Sequence, residues 1–403
     1  MKTAGIIAEY NPLHSGHLYH IRATRAAGFD RIAVVMSPNA VQRGEPAFFA
    51  KQTRAAAAVR CGADLVLELP APWAVSSAAR FAEAGVAVLS AAGADTLSFG
   101  SESGDIEPLR RCADACLEAE NGDHIRELLS AGLSYAAARD KAVAGLFGEE
   151  TASLLRTPNN ILGVEYLKAI RKLGVAMDTF TVARLGAGHD SGELSEETAS
   201  ASALREMIRI EGIEPALRFL PEETRGFLRK DLEEGIGGTS VERLEPAILY
   251  RLRTMNLGDF RALPDVSEGL EQRLYKASRT PIPLSELVEQ VRTRRYPLSR
   301  VRRIIYSAML GVTKETAAGT PPYLRVLAFN DTGREMLREV KKGPLPVYHS
   351  FAKLERDFPE LARVELLATD LFRMACPKLN DVPGARGALS EYQDRRPFSS
   401  LIK

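Results

Sequence analysis

The stretch Gly5-Ile6-Ile7-Ala8-Glu9-Tyr10-Asn11-Pro12-Leu13-His14-Ser15-Gly16-His17-Leu18 decides how the rest of the chain is read. Apolar, β-prone residues from Thr3 to Ala8 predict a strand, Pro12 stops the extended run, and a helix is expected from about His17 to Ala27. A strand that passes through a loop into a helix gathers backbone N–H groups and the positive end of the helix dipole at one point, which suits phosphate. Gly16 has no side chain to hold a phosphate away. His14 and His17 could there donate hydrogen bonds to phosphate oxygens as charge builds during in-line attack at an α-phosphorus. Read alone, the same residues also describe a helix cap or a surface loop.

Working outward, the rhythm repeats. Strand segments at Arg31–Met36, Asp64–Glu68, Asp95–Phe99 and Thr179–Arg184 alternate with helix segments at Gln52–Cys61, Ser77–Ala92, Pro108–Ala119, Ala136–Leu146 and Ile161–Leu173. Each helix has the length of a crossover, so the fold class is α/β with a Rossmann-like parallel sheet. Such sheets bind ligands beyond the carboxyl ends of their strands. Gly100, just after one strand segment, either admits a nucleotide backbone or simply makes a turn.

After about Ile213 the alternation gives way to charged, mainly helical sequence. A chain of 403 residues exceeds what one core usually serves, roughly 250–300 residues, so two domains are expected, 1–215 and 216–403. The second includes a small α+β part, with strands at Leu324–Phe329 and Leu345–Tyr348 and a helix at Phe351–Phe358. The irregular Pro377–Ser400 receives no function.

Composition narrows the classes. Lys and Arg total 53 against 52 Asp and Glu, so any nucleic-acid surface must be a local patch. Residues 271–303 supply one, with nine Lys or Arg against three Glu, and Tyr275 and Tyr296 for stacking; a solvated helix face is the plainer account. Lys51 and Arg54, beside Arg43, could likewise meet phosphate or RNA, or form a solvated basic face. Cys61, Cys112, Cys116 and Cys376 form no C-x-x-C pair, so no metal site is expected and a reducing cytoplasm fits. No 18-residue apolar run and no signal-peptide core occur, so neither export nor a membrane span is expected. Glu9 and Asp64 lack a paired-carboxylate spacing and stay outside the catalytic set.

The strand, H-x-G-H and helix together resemble the nucleotidyltransferase superfamily. The string from Gly5 to His17 resembles one branch in particular, the bacterial tRNA(Met) cytidine acetate ligases. Further strings of that pattern follow in order: Gln42-Arg43-Gly44-Glu45-Pro46, Ala63-Asp64-Leu65-Val66-Leu67-Glu68-Leu69-Pro70, Phe99-Gly100-Ser101-Glu102 and Pro158-Asn159-Asn160-Ile161-Leu162-Gly163. Ser200-Ala201-Ser202-Ala203-Leu204-Arg205 resembles the superfamily's late serine-rich motif, and Arg294-Arg295-Tyr296 the ligase family's R-R-Y segment. The match is strong over residues 5–205 and loose beyond.

The resemblance implies a nucleotidyltransferase-type ATP-binding catalytic domain followed by a tRNA-binding region. It implies that His14, His17 and Arg205 are catalytic. Ile7, Ala8, Glu9, Tyr10, Asn11, Pro12, Leu13, His14, Ser15, Gly16, His17, Leu18, Tyr19 and His20 would line ATP, with Gly100, Asn159, Arg184, Leu185 through its backbone, and Ser202. Asn159, Asn160 and Ser202 could instead be helix caps. Magnesium would arrive on the ATP phosphates. The implied reaction activates acetate as acetyl-adenylate, then passes acetyl to N4 of the wobble cytidine of elongator tRNA(Met). Rival readings are a nucleotidyltransferase acting on a small molecule or cofactor and a noncatalytic RNA-binding protein. An aminoacyl-tRNA synthetase ranks last, because no K-M-S-K-S-like loop follows.

Overall fold

In the computed structural model, which describes residues 1–184, 199–267 and 269–378, the alternating segments form one twisted sheet. The strands in chain order are β1 (Thr3–Ala8), β2 (Arg31–Met36), β3 (Ala40–Val41), β4 (Glu45–Pro46), β5 (Leu65–Glu68), β6 (Thr96–Ser101), β7 (Asp178–Ala183), β8 (Leu324–Phe329) and β9 (Val347–Tyr348). Seven of them order as β7-β6-β1-β2-β5-β8-β9, while β3 and β4 make a separate small hairpin. The pairs from β7 through β5 are parallel, as the crossover spacing predicts. Strand β8 then joins β5 antiparallel, and β9 runs parallel to β8. Residues far beyond 215 therefore complete the sheet that begins at Thr3.

Strand β2 is buried at all six positions because helices cover both faces. Ala33, Val35, Leu65 and Leu67 point to one side, against Leu89 of helix α3 (Ala78–Ala91) and Val164 of the later helix Pro158–Leu173. Ile32, Val34, Met36 and Val66 point to the other, against Ile21 of helix α1 (Ser15–Ala26) and Ala58 of helix α2 (Lys51–Arg60). This two-residue alternation between separate cores is what a strand's geometry requires. Helices α4 (Ile106–Asn121) and α5 (Pro158–Leu173) complete the first layer. Gly163 lets α5 lie close, since a Cβ there would come within 2.6 Å of the Phe99 ring.

A third core belongs to the mainly helical region. Leu244, Ile248, Leu252, Phe260, Leu274 and Leu287 pack with Val301 and Ile304 of a helix at Leu298–Leu310. Ala40, Ala71 and Val75 from the first half join the same cluster. A long helix at Pro359–Ala375, which the sequence reading did not include, adds Val364 and Ala368 and ties the halves together.

The two basic residues expected at the surface of α2 are internal. Lys51 is fully buried in an ion pair with Glu68 at 2.6 Å, and Glu68 also pairs with Arg325 of β8 at 2.9 Å. Buried beside them, Glu365 accepts the Ala71 N–H at 2.6 Å; burial, then the neighbouring Glu68, raise its carboxyl to about 8. Arg54, also buried, donates to the carbonyls of Phe49, Glu9, Ser37 and Pro38. It clamps the loops after β1 and β2, so neither α2 cation is available to phosphate or RNA. Asp64 is structural too: it takes the Ile32 N–H, an Arg25 guanidinium at 2.6 Å and the Asn330 amide.

Candidate active site

Helix α1 begins at Ser15, earlier than the sequence predicts, because His14 is its N-cap. The His14 Nδ1 accepts the Gly16 N–H at 3.1 Å, and the His17 Nδ1 accepts the His14 N–H at 3.3 Å. This is a capping box built from two histidines where Ser and Glu are usual. An Nδ1 that accepts an amide proton carries none of its own, so each neutral ring bears its proton on Nε2. The rings stack with centroids 3.9 Å apart, and Tyr10 meets His17 edge-on at 5.1 Å. The loop thus caps the helix with the same two imidazoles, leaving each with an Nε2–H donor.

The neutral state is enforced. Burial, followed by the nearby Arg184 charge, lowers His14 to about 3. Burial also holds His17 well below the usual imidazole range, helped by His14 and Arg184. His20 is lowered to about 4, again by burial and then Arg184. The Thr24 hydroxyl donates to the His20 carbonyl at 2.8 Å, so Ser98 Oγ donates to Thr24 at 2.7 Å and accepts the His20 Nε2–H at 2.9 Å. This chain ties α1 to β6 and gives His20 the same tautomer as the other two.

The proposed nucleotide stretch divides by burial. Tyr10 and Leu13 are core residues at 1% exposure, so anything they offer a ligand comes from their backbone. Tyr10 holds a left-handed φ of 47°, a strained conformation of the kind that gathers at functional loops. Asn11 spends its side chain on the Phe48 N–H at 2.6 Å, and Ser15 donates to the Phe219 carbonyl at 2.8 Å. Tyr19 faces solvent.

The second wall lies beyond β6 and β7. Gly100 sits against Arg184, whose Cγ would be 3.4 Å from an added Cβ. Arg184 donates to the Asn159 Oδ1 at 2.8 Å. Leu185 lies outside the described residues. Neither Asn159 nor Asn160 is the helix cap; the Glu102 carboxylate serves that end of α5, taking the Asn160 N–H at 2.7 Å and the Asn159 side chain at 2.6 Å. Burial alone would raise Glu102, but these hydrogen bonds outweigh it and hold the carboxyl below its usual range. Glu102 was legible as part of a matched string, yet nothing in its spacing disclosed this role.

Arg205, on helix α6 (Ala201–Glu211), brings the late motif to the first loop. Its guanidinium donates to the Asn11 carbonyl at 2.9 Å and pairs with Glu45 of β4 at 3.4 Å. Ser200 caps α6, and Ser202 stands 3.5 Å from the Arg205 guanidinium. Glu9 accepts the Gln42 N–H at 2.7 Å; burial raises its carboxyl against Gln42, Arg205, Arg54 and Arg43. Glu45 is the partner that sequence reasoning missed.

Of the basic residues in 271–303, several are structural. Arg300 donates to the Asp265 carbonyl at 2.7 Å and covers the Tyr296 ring at 5.3 Å, Arg303 pairs with Asp265 at 3.8 Å, and Arg273 donates to the Gln290 carbonyl. Tyr296 is buried and therefore cannot stack on a base; Tyr275 is partly exposed under Arg279. No helix among the described residues is long and apolar enough to cross a membrane.

Comparison with known proteins agrees with this geometry. The model of the HIGH Nucleotidyl Transferase family matches residues 1–385. A tRNA(Met) cytidine acetate ligase of Thermoanaerobacter sp. (strain X514) is 38% identical, over 93% of this chain and 96% of that protein. One from Syntrophotalea carbinolica is also 38% identical, over 94% and 91%. The crystal structure of Thermotoga maritima TmcAL bound with alpha-thio ATP superposes with a TM-score of 0.88 at 33% identity, covering 99% of each chain, and its apo form with a TM-score of 0.90. With an H-x-G-H capping box at the carboxyl edge of a parallel sheet and relatives matched along nearly their whole length, the chain belongs to the tRNA(Met) cytidine acetate ligase family of HIGH nucleotidyl transferases.

Proposed function

We propose that this protein activates acetate with ATP and transfers the acetyl group to N4 of the wobble cytidine of elongator tRNA(Met), giving N4-acetylcytidine, AMP and pyrophosphate. The observation that carries this reading is the paired-histidine capping box. Two neutral imidazoles with Nε2–H donors stand at the start of a 12-residue helix, beside Arg184 and Arg205.

In the first step an acetate oxygen forms a bond to the α-phosphorus and the bond to the β-phosphate oxygen breaks. His14 and His17 donate from Nε2 to the phosphate oxygens as charge builds, and the N-terminus of α1 adds its field. Arg205 takes the charge of the departing pyrophosphate, and Gly100, Asn159 and Arg184 hold the adenosine end. Carboxylate is already a nucleophile, so positioning and charge stabilisation suffice. In the second step the cytidine N4 attacks the acetyl carbonyl, AMP leaves with the bridging oxygen, and N4 loses a proton. Magnesium enters this scheme on the ATP phosphates. We assign the nucleotide chemistry to residues up to about 215 and tRNA binding to the region after it, and place the enzyme in the cytoplasm.

The test is incubation of the purified protein with ATP, magnesium, radiolabelled acetate and total bacterial tRNA, followed by nucleoside analysis. Label in N4-acetylcytidine is expected. Acetyl-adenylate without labelled RNA would leave only the first step, and absence of both would overturn the reading.

A further inference from the structure

A cleft of about 540 Å³ opens between two stretches of chain that are distant in sequence. One wall is Arg43, in the turn of the β3–β4 hairpin; the other is Arg292, Arg294 and Arg302 with the first turn of helix α7 (Leu298–Leu310). Among the described residues no acidic side chain lines it. Arg43, Arg294 and Arg302 are exposed and make no hydrogen bond or ion pair among the described residues, in contrast to the structurally committed Arg273, Arg300 and Arg303. Among the described residues Arg292 shares only an exposed pair with Glu289 at 3.2 Å. Four guanidinium groups held around one concavity repel one another unless an anion joins them.

The helix strengthens that preference. Pro297 at the N-cap offers no side-chain acceptor and the first turn of α7 holds no acidic residue, so the amides of Leu298 and Ser299 add positive potential to the same cleft. Tyr296 is buried beneath Arg300, so among these lining residues there is charge but no aromatic surface. A site with forks for phosphate and no stacking platform reads a backbone, fixing register without reading bases.

The hairpin is seated firmly enough for Arg43 to be a fixed part of the cleft. Gly44 has a φ of +75°, and a Cβ there would lie 2.6 Å from the Arg303 nitrogen and 2.8 Å from the Arg302 carbonyl oxygen. The turn therefore rests on the backbone of α7, while Glu45, next in sequence, pairs with Arg205. We infer that this cleft holds backbone phosphates of the tRNA and that Arg43 is the RNA ligand contributed by the nucleotide-binding half. The inference rests on the tRNA reaction proposed above and assigns the seat of its RNA substrate.

The experiment measures the affinity of the full chain for unmodified elongator tRNA(Met) transcript across a salt series. It compares wild type with Arg43→Ala, Arg302→Ala, the double variant, Arg43→Lys, and Arg338→Ala as an exposed control on a distant helix. Each cleft substitution should weaken binding about 3- to 10-fold and lower the slope of log K against log salt by roughly 0.7–0.9, the value per phosphate contact. Arg43→Lys should recover most of the slope, and thermal melting should match wild type. Unchanged affinity and slope in the double variant, or an equal loss in Arg338→Ala, would overturn the inference. N4-acetylcytidine formation by wild type is scored separately. A wild type that acetylates while the double variant binds normally removes the cleft and leaves the reaction standing; one that never acetylates yet loses RNA binding on substitution keeps the cleft and removes the reaction.

Discussion

The Nδ1 of His17 accepts the backbone N–H of His14 at 3.3 Å, so the second histidine of the motif is bonded to the residue that carries the first. Each ring is committed on one nitrogen to the fold and left with a donor on the other. Helix start and the proposed chemistry consequently share one structure, and a substitution must be chosen to separate them.

His14→Asn makes that separation, because Asn is a good N-cap but has no equivalent of the Nε2–H. Stability should stay within about 1 kcal/mol of wild type by denaturant unfolding, while acetate-dependent pyrophosphate release falls about 10²–10³-fold, the usual cost of losing one charge-stabilising donor. His14→Ala should lose both. Full activity in His14→Asn would remove this ring from the mechanism.

His14, His17 and His20 give the protein a pH signature. Their imidazoles are lowered to about 3 for His14 and about 4 for His20, with His17 also well below its usual range. Above about pH 6.5 folded and unfolded forms are equally deprotonated and nothing is lost. As pH falls from there toward 4, only the unfolded chain takes up protons, so stability declines, by at most ~1.4 kcal/mol per pH unit for each histidine. Unfolding free energies at pH 7.5 and 5 should show this decline, and NMR should show no titration of these three rings near pH 6.5. A ring that titrates there is not held neutral by the fold.

Glu45 orients Arg205 across a 3.4 Å pair, so its effect on the reaction should run through that arginine. Glu45→Gln is expected to lower kcat for pyrophosphate release about 5- to 10-fold, with less effect on KM for ATP, and Arg205→Ala about 10²-fold or more. If the double variant falls further than Arg205→Ala by the full Glu45→Gln factor, the two residues act independently and the positioning role is wrong.

Glu68 stands between two buried cations, pairing with Lys51 at 2.6 Å and Arg325 at 2.9 Å. Glu68→Gln removes the counter-charge that the two cations share and should cost about 3–5 kcal/mol in unfolding free energy. Because Arg325 lies on β8, the loss should appear as destabilisation of the whole sheet in hydrogen exchange. A loss confined to residues after 324 would show that β8 unfolds on its own.

The sequence alone was enough for the parallel sheet from β1 to β7, since apolar runs separated by crossover-length helices leave little topological choice. It also named His14, His17, Gly100, Asn159 and Arg205 as one candidate set, the two histidines and Gly100 from local strand-to-helix and strand-end signals and Asn159 and Arg205 through the family resemblance. Helix boundaries shifted where a distant group did the capping, as when Glu102 took the N-terminus of α5.

What only the tertiary structure decided were the partners. Glu45 lies 160 residues from Arg205, Glu102 lies 57 from Asn159, and β8 meets β5 across most of the chain. Lys51 and Arg54 look in sequence like any exposed basic helix face, and only packing shows them paired or clamped inside. Local sequence encodes backbone preference and hydrophobic period. Whether a charge is buried with a counter-charge or left free to meet a ligand depends on which remote segments the fold brings beside it.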